Sequence, residues 1–288
     1  MLSKYRNDKP EMGSAEQELW RNLIWERCGI YFTTGRLYFM EQRIWERMKL
    51  LNLTSYRDYY NLIAFKPKGK AEWLTVRDQL LNNETSFFRH KPSFDALLDH
   101  ALPSLVATKR LKGDLSLSLW SAGCSGGQEA YSMGMALLER IDPYQWDIRI
   151  SGTDISQKQL MKAQAGVYKE YNVRYMPEYY RKKYLLLTQG KYSETYRVKP
   201  TVKRLAQFSS LNLHDPSNYW VANQDVIFCQ NVLIYFQLED RLAIVRRLCR
   251  CLNVGGYLFL GPAEVVGLRL PQMQLTNWHD VLVYKRIS

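Results

Sequence analysis

Between Ser14 and Leu81 apolar side chains return every three or four positions: Leu19, Leu23 and Trp25, then Leu37, Met40, Ile44, Met48 and Leu51, then Tyr56, Tyr59, Tyr60 and Ile63. That spacing lines one face of a helix, and it predicts a small helical bundle. Ser14 with Gln17 three residues on resembles a capping box, Cys28-Gly29 suits a helix end, and Thr54 or Ser55 can cap the last of these helices. From Leu115 the period changes. LSLSLWSAG, WDIRISGTD, LAQFSSLNL, DVIFCQN and GGYLFLG read as strands, and helical patterns over Gln128–Ile141, Gln157–Ala165 and Leu238–Leu252 separate most of them. Strand and helix alternating at this spacing predict a parallel sheet with right-handed crossovers. The last pieces, LRLPQMQLTNW and HDVLVYKRI, predict an antiparallel hairpin that closes the sheet. Gly166 to Lys203 breaks the rhythm with a long Tyr- and Lys-rich insertion, in which YLLLTQGKYSETYRVK reads as a hairpin around Gln189-Gly190. Insertions of this length in an α/β unit usually carry function.

Composition narrows the class. The 288 residues suffice for one large domain or two modest ones. The most apolar stretch, VIFCQNVLIYF, spans 11 residues and is interrupted by Gln230 and Asn231, against the roughly 20 apolar residues that a membrane-spanning helix needs. The opening MLSKYRNDKPEMG has charge without an apolar core, so it is not a secretory signal, and a cytoplasmic monomer is the expectation. Cys28, Cys124, Cys229, Cys249 and Cys251 form an odd set without a C-x-x-C pair, and the four histidines lack metal-ligand spacing. Neither a disulfide framework nor a metal site is expected. A net charge of +12 with a pI near 9.4 implies an acidic partner surface, whether nucleic acid, anionic membrane or acidic protein.

The first strand runs through Ser121-Ala122-Gly123-Cys124-Ser125-Gly126-Gly127 directly into a helix. Glycines there let the backbone come close to a ligand at the carboxyl end of the sheet, where open α/β folds bind ligands. Asp154 ends the second strand, a position from which a carboxylate accepts hydrogen bonds from ribose hydroxyls, and Glu129 adds a second carboxylate one turn into the helix. Two acids and no P-loop lysine suit a pyrophosphate poorly. They suit a cationic, phosphate-free nucleoside, and S-adenosylmethionine has that charge pattern.

NETSFFR, WSAGCSGGQEAYSMG, SGTDIS followed by LMKAQAGVY, FSSLNL, FCQNVLIYF and GGYLFLGPAE stand in the order and spacing of the CheR-type chemoreceptor methyltransferases, which methylate receptor glutamates. The resemblance covers essentially the whole chain. It implies an N-terminal all-helical domain over residues 12–81, an interdomain segment over 82–98 that contributes to the cofactor site, and a Rossmann-like α/β methyltransferase domain over 99–288. That domain has a mostly parallel sheet, an antiparallel C-terminal hairpin and a small β-subdomain inserted at about 168–204. By the same resemblance Asn83, Thr85 and Arg89 touch S-adenosylmethionine, Phe87 and Phe88 anchor the crossing segment, and Gly123 belongs to the cofactor turn. Glu129 holds the amino-acid end, Asp154 the ribose, Asn212 and Leu213 border the adenine, and Cys229, Gln230 and Asn231 complete the wall. Arg89 and Tyr235 face the reacting methyl.

The chain departs from the family pattern in places. The usual S-T-G-E-E-P-Y-S is Ser125-Gly126-Gly127-Gln128-Glu129-Ala130-Tyr131-Ser132, the Arg of C-R-N is Gln230, and G-H-S-E is Gly261-Pro262-Ala263-Glu264. A substrate glutamate, with an unperturbed pKa of about 4.3, is already an anionic nucleophile, so no general base is required. Arg89 would orient it and Tyr235 would fix the geometry. Family receptors present acidic helical coiled coils, so a basic docking face is expected; Arg36, Arg43 and Arg47, seven and four apart, share one side of a helix, and Lys66, Lys68 and Lys70 form a second cluster. The sequence around Thr188-Gln189-Gly190-Lys191 reproduces poorly the glycine-rich turn with which some members grip a receptor tail, so docking without that tether is expected. Alternatives are an inactive cofactor-binding adaptor, suggested by Gln230 and the altered glycine turn, and a nucleic-acid methyltransferase, disfavoured because Cys229-Gln230-Asn231-Val232 stands where amino-group methylases carry [DNS]-P-P-[YF]. The receptor could belong to flagellar chemotaxis or to a pilus-based motility system, and the divergent motifs lean to the latter.

Overall fold

The computed structural model describes residues 9–82, 84–189, 194–264 and 270–288. They divide into two compact units, one of the described residues up to Asn82 with Tyr235–Gln237, the other of Asn83–Ile234 with Leu238–Ser288.

The first unit holds α1 (Ser14–Cys28), α2 (Leu37–Leu50), α3 (Tyr56–Phe65) and α4 (Gly69–Leu80). Each buries the stripe that its periodicity marks: Trp20, Leu23 and Ile24; Met40, Ile44 and Met48; Tyr56, Tyr59 and Ile63; Trp73, Val76 and Leu80. The start of α1 differs from expectation. Its N-cap is Gly13, whose N–H donates to the Glu16 carboxylate at 3.2 Å, and Ser14 is already helical. Glycine tolerates the cap position, and the acid at the third helical residue takes the N–H of the cap residue itself, the acidic half of a capping box. Gly29, at φ 75°, ends the helix as expected, and Ser55 Oγ caps α3 by accepting from Asp58 N–H at 3.2 Å. Gly69 is demanded by packing, since a Cβ there would sit 2.2 Å from the Leu62 carbonyl oxygen.

The second unit carries ten strands among its described residues: β1 (Ser116–Ala122), β2 (Asp147–Asp154), β3 (Val167–Lys169), β4 (Leu185–Gln189), β5 (Glu194–Val198), β6 (Ala206–Ser210), β7 (Gln224–Cys229), β8 (Leu252–Leu260), β9 (Met273–Trp278) and β10 (Val281–Arg286). Seven form one sheet in the order β6-β2-β1-β7-β8-β10-β9, parallel from β6 to β8 and antiparallel at β10 and β9. The central strand β7 is buried at every position, as a parallel strand covered on both faces must be. The closing hairpin turns through His279 and Asp280, both at positive φ, the backbone that two-residue hairpins favour. Strand β8 starts at Leu252, three residues before the expected Gly255. It pairs with β7 first at Gln224 and again from Val226, and Gly255, at φ 89°, lies in the stretch where the register shifts. The inserted segment forms a separate antiparallel sheet, β3-β5-β4. Its expected turn at Gly190 lies outside the described residues, but β4 and β5 pair as the hairpin requires.

Within the helical unit Glu72 accepts from Arg47 Nε at 2.5 Å, Arg47 Nη2 at 2.8 Å and Tyr59 OH at 2.6 Å. Burial works to raise the Glu72 carboxyl, but the Arg47 and Tyr59 hydrogen bonds outweigh it and hold the group below its ordinary value. A carboxylate whose folded pKa is depressed stabilises the fold above its unfolded pKa and loses that contribution as pH falls through the folded one. Glu72→Gln is expected to lower stability by about 1–3 kcal/mol and to flatten the acid limb of the stability profile, read by thermal denaturation between neutral and acid pH.

Candidate functional site

The site is built where β1 and β2 end. Past β1 the chain turns back under its neighbours: Gly123 N and Cys124 N both donate to Thr153 O at 2.8 Å. Gly123 adopts φ 82°, and a Cβ there would lie 2.4 Å from Val232 Cγ2; Gly127 adopts φ 87°, with Ala163 Cβ at 2.8 Å from the same imagined atom. The glycines therefore answer to the packing of this turn against the loop after β7 and the helix Gln157–Ala165, a demand that holds with or without a ligand. Tyr168 OH bonds Gly126 O at 2.6 Å and Tyr131 OH bonds Ala163 O at 2.8 Å, so buried rings brace the turn from beneath.

Asp154 is locked by this turn. Its Oδ2 accepts from Ser125 N–H and its Oδ1 from Ser156 N–H, both at 2.8 Å, and Ser125 takes the left-handed φ of 47° in doing so. Glu129, in the first turn of the helix Gln128–Leu137, accepts from Ser121 Oγ at 2.7 Å and has no salt bridge among the described residues. Burial lifts its carboxyl to about 7; the Ser121 hydroxyl and Arg89 oppose the shift, and the charge of Glu264 adds to it. Two buried thiols feel the same acidity. Cys124 is raised well above its ordinary value by burial and then by Asp154 and Glu129, and Cys229 by burial and then by Glu264 and Glu129.

Glu264 is the residue that the sequence reading quoted without a role. It is 5% exposed. Its Oε1 accepts from the N–H groups of Val232 (2.8 Å), Leu233 (2.7 Å) and Ile234 (3.3 Å), and its Oε2 from Asn231 (3.0 Å) and Gly261 (2.7 Å). A single side chain thus gathers the turn after β7, where Asn231 stands at φ 61°, against the end of β8. Gly261 has to be glycine, because a Cβ would meet Glu264 Oε2 at 2.4 Å. The only signal in the sequence was the acid that closes GGYLFLGPAE.

The segment around Phe87 and Phe88 is held firmly. Asn83 lies outside the described residues. Phe87 and Phe88 are buried, Phe87 edge-on to Tyr168 at 4.9 Å and Phe88 against Tyr180 at 4.3 Å and Phe94 at 5.0 Å. Phe88 has φ 51° and donates its N–H to Ser132 Oγ at 3.0 Å. Arg89 is exposed and donates to Glu84 O at 2.8 Å. Gln230 keeps a structural role despite its neutral head: its Nε2 donates to Ser93 Oγ at 2.7 Å, the same hydroxyl that His90 Nδ1 meets at 2.8 Å. Cys229 is buried at the end of β7. Asn212 Oδ1 accepts from His214 N–H at 3.1 Å, while the carbonyl of the buried Leu213 accepts from Tyr219 OH at 2.8 Å and Arg247 Nη2 at 3.1 Å. Thr85 and Arg89 line a cleft of about 420 Å³ that neither Glu129 nor Asp154 lines.

Tyr235 groups with the helical unit, its carbonyl accepting from Tyr31 N–H at 2.9 Å and its ring lying 5.2 Å from the Arg36 guanidinium. Of the three arginines assigned to a docking face, Arg47 is committed to Glu72, and Arg43 pairs with Glu46 at 2.9 Å while lying over Phe39. Lys66, Lys68 and Lys70 are exposed. Among the described residues no cluster of His, Cys, Asp and Glu has the makings of a metal site, and no helix is long and apolar enough to cross a membrane.

Comparison with known proteins agrees with this architecture. A family model described as "CheR methyltransferase, SAM binding domain" matches residues 83–278, and one described as "CheR methyltransferase, all-alpha domain" matches residues 15–81. Similar relatives include chemotaxis protein methyltransferase 1 of Pseudomonas aeruginosa, 31% identical over 94% of this chain and 98% of its own. Chemotaxis protein methyltransferase 2 of Vibrio cholerae is 32% identical over 85% and 83%, and the chemotaxis protein methyltransferase of Borreliella burgdorferi 29% over 85% and 86%.

Removing the Glu264 carboxylate would strand buried backbone donors. Glu264→Ala is expected to cost about 3 kcal/mol or more, visible as a lower unfolding midpoint in denaturant. Glu264→Gln, which retains one acceptor oxygen, should recover part of that loss.

Proposed function

The chain belongs to the CheR methyltransferase family, and from that premise we propose that it methylates glutamate carboxylates on the acidic cytoplasmic helices of a chemoreceptor, forming methyl esters in chemosensory adaptation. S-adenosylmethionine, when bound, supplies the electrophilic methyl on a sulfonium. The observation that carries the reading is Glu129: a carboxyl lifted to about 7 by burial, with no ion pair among the described residues, gains from any cation placed against it. The donor is cationic, so the residues fit the group.

In this reading Glu129 takes the ammonium of the amino-acid end and Asp154, held rigid by the amides of Ser125 and Ser156, faces the ribose hydroxyls. Asn212 and Leu213 border the base, and Gly123 with Cys229, Gln230 and Asn231 forms the wall. Residues 82–98 act as the crossing segment, with Thr85 and Arg89 turned to the donor and Asn83 assigned to it by the family pattern alone. The acceptor glutamate arrives ionised, with an ordinary pKa of about 4.3, so the residues around it need only orient it and exclude water. Arg89, anchored through the Glu84 carbonyl, orients the acceptor carboxylate, and Tyr235 fixes its approach. The receptor docks on a basic face that includes Arg36 and Arg43, with Arg47 supporting it from within the helical unit. An adaptor role is not favoured, since Gln230 retains a hydrogen-bonded place in the wall.

Incubation with tritiated S-adenosylmethionine and cytoplasmic receptor fragments should give label that mild base releases, as esters do; Arg89→Ala should cut transfer by about 100-fold or more. A second expectation concerns pH. A bound ammonium favours ionised Glu129, so below about pH 7 binding must first expel a proton. Affinity for S-adenosylhomocysteine should therefore rise with pH up to that value, by up to about tenfold per unit. Glu129→Gln should bind weakly and flatten the profile in calorimetry.

A further inference from the structure

Phe88 stands at φ 51°. A bulky side chain in the left-handed region is strained, and such backbone persists only where its surroundings over-determine it. Three contacts do so here. The Phe88 N–H donates to Ser132 Oγ at 3.0 Å, and that hydroxyl is itself fixed by donating to Gln128 O at 2.7 Å. The Phe88 ring meets Phe94 at 5.0 Å and Tyr180 at 4.3 Å. Phe94 leans in turn on Phe228 of β7 at 5.5 Å, so that contact belongs to the main sheet. Tyr180 does not: it lies on the helix Glu178–Tyr184, within the inserted segment, and packs half-buried against the core from there.

A helix of seven residues does not hold itself in place. This one is tied down by Glu139, in the turn after the helix Gln128–Leu137. Its Oε2 accepts from Tyr179 OH and Lys183 Nζ, both at 2.9 Å, and its Oε1 from Tyr184 OH at 2.6 Å. An exposed ion pair alone is worth little, but three donors on one carboxylate that is 18% exposed fix both the depth and the rotation of the helix. The residues on either side of Tyr180 are the ones so held, and Tyr184 also stacks on the Tyr180 ring at 6.1 Å. The Tyr180 hydroxyl has no hydrogen bond among the described residues, so the ring alone makes the contact with Phe88.

The next residue is Arg89. Its direction follows from the backbone of Phe88, and its guanidinium donates to Glu84 O at 2.8 Å in the arrangement that this backbone permits. Relaxation of Phe88 to a negative φ would swing the chain at Arg89 and re-aim that group. We propose that Tyr180, set by the Glu139 clamp, is a positioning residue for methyl transfer: its ring keeps Phe88 in the left-handed conformation and so aims Arg89 at the acceptor carboxylate. The proposal rests on the methyltransferase reading and gives the inserted segment a part in turnover.

The test uses the full chain, tritiated S-adenosylmethionine and a receptor cytoplasmic fragment. Tyr180→Ala should lower kcat on the order of tenfold, as misplacement of an orienting group does. Tyr180→Leu, which keeps apolar bulk against the core, should unfold at the wild-type temperature and still lose kcat. Tyr180→Phe, which keeps the ring, should turn over as the wild type does. Glu139→Gln, with one acceptor oxygen in place of two, should lower kcat less than Tyr180→Ala. In an Arg89→Ala background Tyr180→Ala should change kcat no further, because its effect passes through Arg89. A kcat indifferent to both Tyr180→Ala and Tyr180→Leu, a loss that Tyr180→Phe shares, or losses that add in full to that of Arg89→Ala would each overturn the proposal while leaving the methyltransferase reading intact. If the wild type transfers no methyl to any receptor fragment, that reading fails first and this inference with it.

Discussion

Burying a carboxylate costs several kcal/mol unless its oxygens are matched by donors, and the α/β unit meets that constraint in two opposite ways. Glu264 is satisfied by five backbone N–H groups and is thereby turned into structure: it fixes the turn after β7 to the end of β8. Glu129 receives one hydroxyl, and burial lifts it to about 7. The satisfied charge depresses the ionisation of the unsatisfied one, because Glu264 is among the groups that raise Glu129. A fixed negative charge placed behind a titrating one primes the latter for a cation.

The backbone around these acids is as constrained as the charges. Gly123 cannot carry a Cβ because Val232 occupies its space, and Val232 is where it is because its amide is held by Glu264. Ser125 and Asn231 take left-handed conformations on either side, backbone that persists only when its surroundings over-determine it. The turn after β1 and the turn after β7 are thus one mechanical piece, and Asp154 joins it through the Ser125 amide. Functional groups on such a piece keep their geometry without relying on their own rotamer preferences.

Much of this was legible in the sequence. The switch from a helical to an alternating period at Leu115 marks the change from bundle to sheet, and the strand runs fall within a few residues of β1, β2, β6, β7 and β8. The positions of Glu129 at a helix start and Asp154 at a strand end followed from the strand and helix runs on either side of them. The misses have physical causes. A capping acid looks like any surface glutamate, so the expected cap was Ser14 with Gln17, one residue past the observed Gly13 with Glu16. Glu264 reaches back some thirty residues to its amide partners, and no local pattern encodes that. Arg47 shares a helical side with Arg36 and Arg43, yet the period says which residues are neighbours and not which of them finds an acid on another helix.

The charge total illustrates the same distinction. A surplus of 12 positive charges says that the chain as a whole repels cations, while Glu129, Asp154 and Glu264 gather near the ends of β1, β2 and β7. These are compatible because fields from exposed charges fade within about a Debye length, roughly 8 Å at physiological salt, whereas acids behind buried walls are screened far less. The sum of charges therefore governs which surfaces the chain meets, and the placement of three acids sets the local field at the ends of these strands.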